Sequence, residues 1–319
     1  MQKILSIIVI ISLFFSCDKD SKLEKEIAKI DVTVNVERFD KLFAKATPSN
    51  LPQLKNDYPF MFSKNYPDSL WVARIKDTLQ QQLNNEVAKA FTDESLFGGE
   101  IQSLFRHLKH YFKAFKSPRI ITVTSDVDYR NKTIVTDTIV LIALDTYLGS
   151  DHEFYGGIPK YIRQNFEPSQ IVPDLAAQYA FQNIYQPKRK TFLDEMIYYG
   201  KVLYFKDVMI PFKLDDEKIG YTNEQLNWAI DNESYIWRYF IERELLFNTD
   251  SQLLNRFINP APFSKFNLEL DSESPGRLGQ YLGWQIVKAY MKNNDVTLQK
   301  MLSTSAEDVF NNSKFKPRK

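Results

Sequence analysis

From Pro173 to the C-terminus, apolar residues recur three and four positions apart in one segment after another. No other feature constrains the fold as much. The spacing predicts helices over Pro173–Tyr185, Thr191–Phe205, Asn223–Asn232, Glu233–Phe247 and Pro275–Asn293, because residues at those intervals share one face of a helix. Such a run of amphipathic helices must bury its stripes against one another or against a sheet. The N-terminal half supplies sheet material. "DVTVNVERF", over Asp31–Phe39, alternates apolar and polar residues as a half-buried strand does. "RIITVTS" and "TIVTDTIVLIAL", joined by the polar "DVDYRNK", predict a β-hairpin. Its second strand becomes continuously apolar, and so buried on both faces. A short helix near Leu51–Asp57 and longer ones over Trp71–Ala90 and Ser95–Phe115 complete the reading. The expected class is α+β, with a small antiparallel or mixed sheet in the N-terminal half and a mainly helical C-terminal half.

Composition narrows the function. Hydrophobic residues make up 44% of the chain and aromatics 14%, enough for a packed core. Lys and Arg number 41 against 40 Asp and Glu. That balance gives no long-range field to draw in a polyanion, so nucleic acid is not an expected partner. The chain has one cysteine and three histidines, which excludes an internal disulfide and any cysteine-based zinc or iron–sulfur centre.

The single cysteine has a distinctive setting. "MQKILSIIVIISLFFSCDKDSKLEKE" carries Lys3, an apolar run from Ile4 to Phe15, the small Ser16, then Cys17 and a charged segment. An apolar stretch of that length is a signal-peptide core and too short to span a bilayer comfortably. The arrangement resembles a bacterial lipoprotein signal, in which the cysteine is lipidated on sulfur and becomes the new N-terminus. The expected organisation is a signal over 1–16, a charged membrane tether over 17–30 and one domain over 31–319. A secreted protein with an incidental cysteine is the plainer alternative.

Candidate chemistry is sparse. His107 and His110 in "FRHLKHYFK" lie three apart on a helix, yet Arg106, Lys109 and Lys113 crowd them with positive charge. A solvated basic face is the expected reading. His152–Glu153 lacks the second histidine of H-E-x-x-H, because Gly156 stands there. As a zincin motif the pair is coincidental, although an exposed loop could use it for contact. No G-x-S-x-G elbow, P-loop or G-x-G-x-x-G occurs. Asp194–Glu195 and Asp215–Asp216 are adjacent carboxylates, which on a helix point in different directions, so solvation is their expected role. In "SPGRLGQYLGWQIVKAYMK", Ser274 suits an N-cap and Pro275 the first helical position. Gly279 and Gly283 add a surface without side chains on that helix, for a tight helix crossing or for a pocket wall.

Three segments together, "IVPDLAAQYAFQNIY", "TFLDEMIYYGKVLYF" and "SPGRLGQYLGWQIVKAYM", follow a lipoprotein signal and a strand ending "IALDTYLG". In this order they resemble the gliding-motility lipoprotein GldB family of Bacteroidota, across essentially the whole mature chain. The resemblance implies an envelope lipoprotein, lipid-anchored and facing the periplasm. It would work beside other gliding-motility lipoproteins or envelope proteins, and gliding in those bacteria is tied to a dedicated secretion system. The same segments are similar to a predicted zinc-peptidase family of gluzincin type, which implies a zincin-like fold. Laid onto this chain, that family's two zinc-binding histidines fall at Ala177 and Phe181, its general base at Gln178 and its third ligand at Tyr199. A methyl and a phenyl group have no lone pair for zinc, and an amide cannot take the proton a general base must take. The resemblance therefore implies a degenerate scaffold with no catalytic residues, no metal and no cofactor. Its former cleft, between the Pro173, Thr191 and Pro275 helices, would be lined by Tyr179, Phe181, Tyr198, Tyr199 and Trp284, with Gly279 and Gly283 beside them, and would dock a peptide or partner loop. Two rivals remain. A hydrolase would need converging acids, and a ligand-binding lipoprotein would need a deep aromatic pocket unrelated to the three helices.

Overall fold

A computed structural model describes residues 22–93, 95–269 and 271–318. The signal expected over 1–16 and Cys17 lie outside the described residues. No described helix is long and apolar enough to cross a membrane. In chain order the elements are α1 (22–27), β1 (Val36–Glu37), α2 (Phe39–Ala44), α3 (Leu51–Asp57), α4 (Asp68–Lys76), α5 (Thr78–Ala90), α6 (Ser95–Tyr111), β2 (Arg119–Val123), β3 (Thr133–Val135) and β4 (Ile139–Ala143). Then come α7 (Lys160–Arg163), α8 (Ile171–Asn183), α9 (Phe192–Met209), α10 (Asp215–Ile219), α11 (Asn223–Asp231), α12 (Glu233–Glu242), α13 (Gln252–Phe257), α14 (Leu278–Asn293), α15 (Leu298–Ser303) and α16 (Ala306–Ser313). The α+β class is observed.

The sheet differs from the expected hairpin. Its order is β1-β2-β4-β3, with β1, β2 and β4 parallel and β3 antiparallel to β4. The reversal falls inside the segment expected to be the second strand, at its polar Thr136-Asp137-Thr138. Thr136 Oγ1 accepts the Ile139 N–H at 3.0 Å and donates to the Ile139 carbonyl at 2.9 Å, so Thr136–Thr138 makes the turn. "DVDYRNK" instead carries the chain back to the start of β3. There the buried Asp145 carboxylate accepts N–H groups of Ser125 and Val127. Only Val36 and Glu37 of "DVTVNVERF" join the ladder, opposite Ile120 and Ile121.

Strand alternation puts both sheet faces to use. Ile120, Val140 and Ile142 point into the large core beneath α6, α8, α9 and α14. Ile121 faces a second cluster with Phe39, Phe43, Leu51 and Phe62, which Trp71 of α4 helps to close. The expectation that the apolar strand is covered on both sides therefore agrees with the structure.

Helix ends follow local chemistry. Trp71–Ala90 is two helices, because Asp77 accepts the Gln80 N–H at 2.8 Å and starts α5 afresh. The segment from Lys22 does not hang free as a tether: α1 docks on α6, with Ile27 buried and Glu24 3.2 Å from His107 Nε2. Ser274 and Pro275 are not the start of α14. The Ser274 hydroxyl bonds to Ser264, the Pro275 carbonyl accepts the Ser264 N–H, and the helix begins only at Leu278 behind Arg277, whose φ is +61°.

The axis of the helical body is the α9–α14 crossing. Gly200 of α9 and Gly283 of α14 face each other. A methyl at Gly283 would penetrate the Met196 carbonyl, and one at Gly200 would penetrate the Gly283 carbonyl. Gly279 is closed in by Ile258, Phe257 and Phe192, all within 3.1 Å of where a Cβ would lie. Close backbone approach, rather than a pocket wall, explains these glycines.

Candidate functional site

Helix α9 is entered through a capping box. Asp194 N donates to Thr191 Oγ1 at 3.1 Å, and Thr191 N donates back to Asp194 Oδ2 at 2.9 Å. Glu195, its neighbour, is buried and takes both arms of Arg189, with the Arg189 Nε at 2.9 Å. The two adjacent carboxylates thus serve a cap and an ion pair, and Glu195 is not solvated. The fork holds the guanidinium 3.6 Å over the Tyr198 ring and 5.8 Å from that of Tyr199. Phe181 comes across from α8 and stacks on Tyr198, centroids 6.2 Å apart and planes within 8°. Tyr198 and Tyr199 meet edge to face at 5.4 Å. Burial raises the Tyr198 phenol pKa, with Arg189 pulling the other way.

This face collects most of the positions that the zinc-peptidase resemblance singled out. Ala177 and Gln178 are half-buried on α8, Phe181 is exposed one turn on, and Tyr199 is half-buried on α9. Methyl, amide, phenyl and phenol do not fit zinc. Among the described residues no group of three or more His, Cys, Asp or Glu could hold a metal ion. What the face offers is aromatic contact and a rigidly held guanidinium, chemistry suited to binding.

The other expected cleft residues lie elsewhere. Tyr179 points into the core from the far side of α8, between Phe105 and Phe115, and among the described residues its hydroxyl has no partner. Trp284 is fully buried and donates to Asp207 at 2.7 Å. Gly279 and Gly283 are occupied by the helix crossing. No open cleft runs between α9 and α14, since their backbones touch. At the α8–α9 edge Phe181 is exposed and Tyr198 and Tyr199 are half-buried.

The remaining titratable candidates resolve as follows. His107 is buried rather than solvated, with Nδ1 against the Ser103 carbonyl and Nε2 against Glu24. His110 is half-buried beside Tyr111, and burial with Lys113 nearby lowers its pKa. His152 caps a short turn through the Phe154 N–H and lies 3.5 Å from Glu86. Asp215 converges with Asp207, but Lys218 and Lys288 reach both. Burial pushes the Asp207 carboxyl up against the pull of the two ammonium groups. For Asp215 the same burial is outweighed and the carboxyl is held below its ordinary range. These acids form an ion-pair network. Asp216 helps to start α10 by accepting the Glu217 N–H.

Arg189 was missed from the sequence. Its only signal was the basic run "PKRK" just before the α9 cap, which gave no indication that one of its members would fold back onto the aromatics.

A mainly helical α+β body with a small mixed sheet, carrying an aromatic face braced by a guanidinium, is the class that these features define. The chain belongs to the gliding motility protein GldB family, whose model matches residues 20–317. Membership implies a lipoprotein involved in gliding motility, with a membrane-anchored place in the cell envelope. No curated protein and no solved structure gives a significant match.

Proposed function

We propose that this protein is a non-catalytic envelope lipoprotein, anchored through Cys17. It supports gliding by holding another envelope or motility protein against the α8–α9 face, and the face is a degenerate peptidase site of zincin type. One observation carries the reading. Where the peptidase pattern would place metal ligands and a base, the chain has Ala177, Gln178, Phe181 and Tyr199, and the exposed Phe181 stacks on the half-buried Tyr198, which Arg189 braces. Stacked aromatics and an ordered arginine are the side chains that dominate interface energetics. The anchor would hold the body close to the membrane, because α1 is already docked on α6 and only the few residues between Cys17 and Lys22 separate the lipid from it.

The test combines two variants in the native host. Cys17→Ser moves the protein from the membrane fraction to the soluble one and abolishes gliding. Phe181→Glu leaves the protein folded and anchored, because the side chain is exposed, but reduces gliding and the recovery of partners in a pulldown. Unchanged gliding and unchanged partners with Phe181→Glu would remove the face from the account. A second reading has one observation in its favour. A pocket of about 310 Å³ with Trp228, Tyr235, Tyr239 and Phe266 in its wall lies away from the α8–α9 face, as a ligand-binding lipoprotein requires.

A further inference from the structure

A separate cavity of about 280 Å³ opens where the loop before β3, the first turn of α8, the last turn of α9 and the residue preceding α14 converge. Arg130, Lys132, Lys206 and Arg277 line it, against the single carboxylate of Asp174. That carboxylate is already engaged, 2.5 Å from Lys132 Nζ and accepting the Tyr147 hydroxyl at 2.8 Å. Lys206 is only 8% exposed, and its ammonium meets the Lys218 carbonyl at 2.8 Å. Arg277 donates to the carbonyls of Ile219 and Gly220, each at 2.7 Å. Among the described residues, none of Arg130, Lys206 and Arg277 has a carboxylate within ion-pair distance.

Capping α10 does not account for this much charge. Gly220 ends that helix in the left-handed conformation, at φ +70°, and the Asn165 and Gln164 amides also reach its carbonyl. Carbonyls carry no formal charge, so the cations stay uncompensated, and buried charges are otherwise paired. Arg277 also holds a left-handed backbone, at φ +61°, that a residue other than glycine adopts only at some cost.

We propose that this cavity binds a doubly charged oxyanion, inorganic phosphate or a phosphate monoester, with Lys206 at its base and Arg130 and Arg277 reaching the oxygens. A dianion answers the surplus of cations where a single carboxylate would not. A guanidinium fork matches the geometry of phosphate oxygens. The small concave shape takes a terminal group and not a polymer. Burial, with Arg277 and Lys132 close by and only Asp174 opposing, lowers the Lys206 pKa to about 8, which an anion in the pocket would reverse. The site is independent of the α8–α9 face.

The test uses the purified mature chain, titrated with sodium phosphate at ionic strength held constant with chloride, and followed by calorimetry and thermal melting. Phosphatidylcholine vesicles with and without phosphatidate form the second arm. Saturable phosphate binding is expected, weakened about tenfold or more in Lys206→Met, as loss of one charged hydrogen bond implies, and by a smaller factor in the exposed Arg130→Gln. Lys206→Met should keep or raise the melting temperature of the unliganded protein, because it removes an unpaired buried charge. If Lys206 only caps α10, that variant melts lower and binds as the wild type does. Binding of phosphatidate vesicles alone, lost in both variants, assigns the oxyanion to a lipid headgroup, and binding of free phosphate assigns it to a soluble species. No phosphate effect beyond chloride together with no preference for phosphatidate overturns the site, as does wild-type affinity in both variants.

Discussion

Gly283→Ala is expected to lose on the order of 3–5 kcal/mol of folding stability, the range of severe core overpacking and backbone displacement. The added methyl would enter the space of the Met196 carbonyl, a backbone atom in the second turn of α9 that no rotamer change can move. Helices α9 and α14 would have to separate, and the buried Trp284, Tyr281 and Met196 would lose packing with them. Since domains carry only about 5–15 kcal/mol in total, a large share of the protein would unfold near physiological temperature. Gly98→Ala on α6 is the control. Nothing lies within 4 Å of its added methyl, so the same change should leave stability unchanged or improve it by about 1 kcal/mol. Denaturant midpoints of the two variants read the difference directly. Equal midpoints would show that the crossing relaxes freely and that the two glycines are incidental.

Stability should also climb between about pH 8 and pH 10, where many proteins have already passed their maximum. Burial brings the Lys201 and Lys206 pKa values down from 10.5 to about 8. Below pH 8 both amines are charged in the folded and unfolded chains, and the full cost of burying charge is present. As pH rises through 8 the native state releases protons that the unfolded chain keeps until about 10.5, so the unfolded state binds more protons and stability increases. The gain is on the order of 2–3 kcal/mol per lysine, since each tenfold change in proton affinity between the two states is worth about 1.4 kcal/mol. Above about pH 10 the sign reverses. Burial raises the phenols of Tyr147, Tyr155, Tyr179, Tyr221 and Tyr281, so the folded protein holds protons that the unfolded chain loses. Urea midpoints across pH 7–11 should peak near pH 10, and Lys206→Met should flatten part of the rise. A decline from pH 8 onward would mean that both amines stay charged in the fold.

The legible parts of the fold were those set by local periodicity. Helices α8, α9, α11 and α14 carry their own apolar stripes, and the Thr191 cap marks its helix start in four residues. Pairing was not legible. The turn at Thr136–Thr138 is only three polar residues between two apolar stretches, and side-chain hydrogen bonds within "TDTI" reverse the chain there with no glycine or proline to announce it. The start of α14 was misplaced for a related reason. Ser274 and Pro275 have the composition of a cap, yet contacts with Ser264 draw them into a loop pairing distant in sequence. At the candidate face, Phe181, Tyr198 and Tyr199 were found by resemblance. Their separation from Tyr179 and Trp284 depends on which side of each helix meets the core. The pocket around Lys206 gave no signal, because its cations come from positions 130, 132, 206 and 277 and only the fold brings them together.

The central claim is that this scaffold works by contact and not by metal chemistry. Metal analysis of the mature protein purified from its own membrane, paired with a peptide-cleavage assay with and without chelator, tests it most directly. The account predicts zinc far below one ion per chain, no cleavage above background and no response to chelator. Stoichiometric zinc, with hydrolysis that the chelator abolishes and added zinc restores, would contradict it.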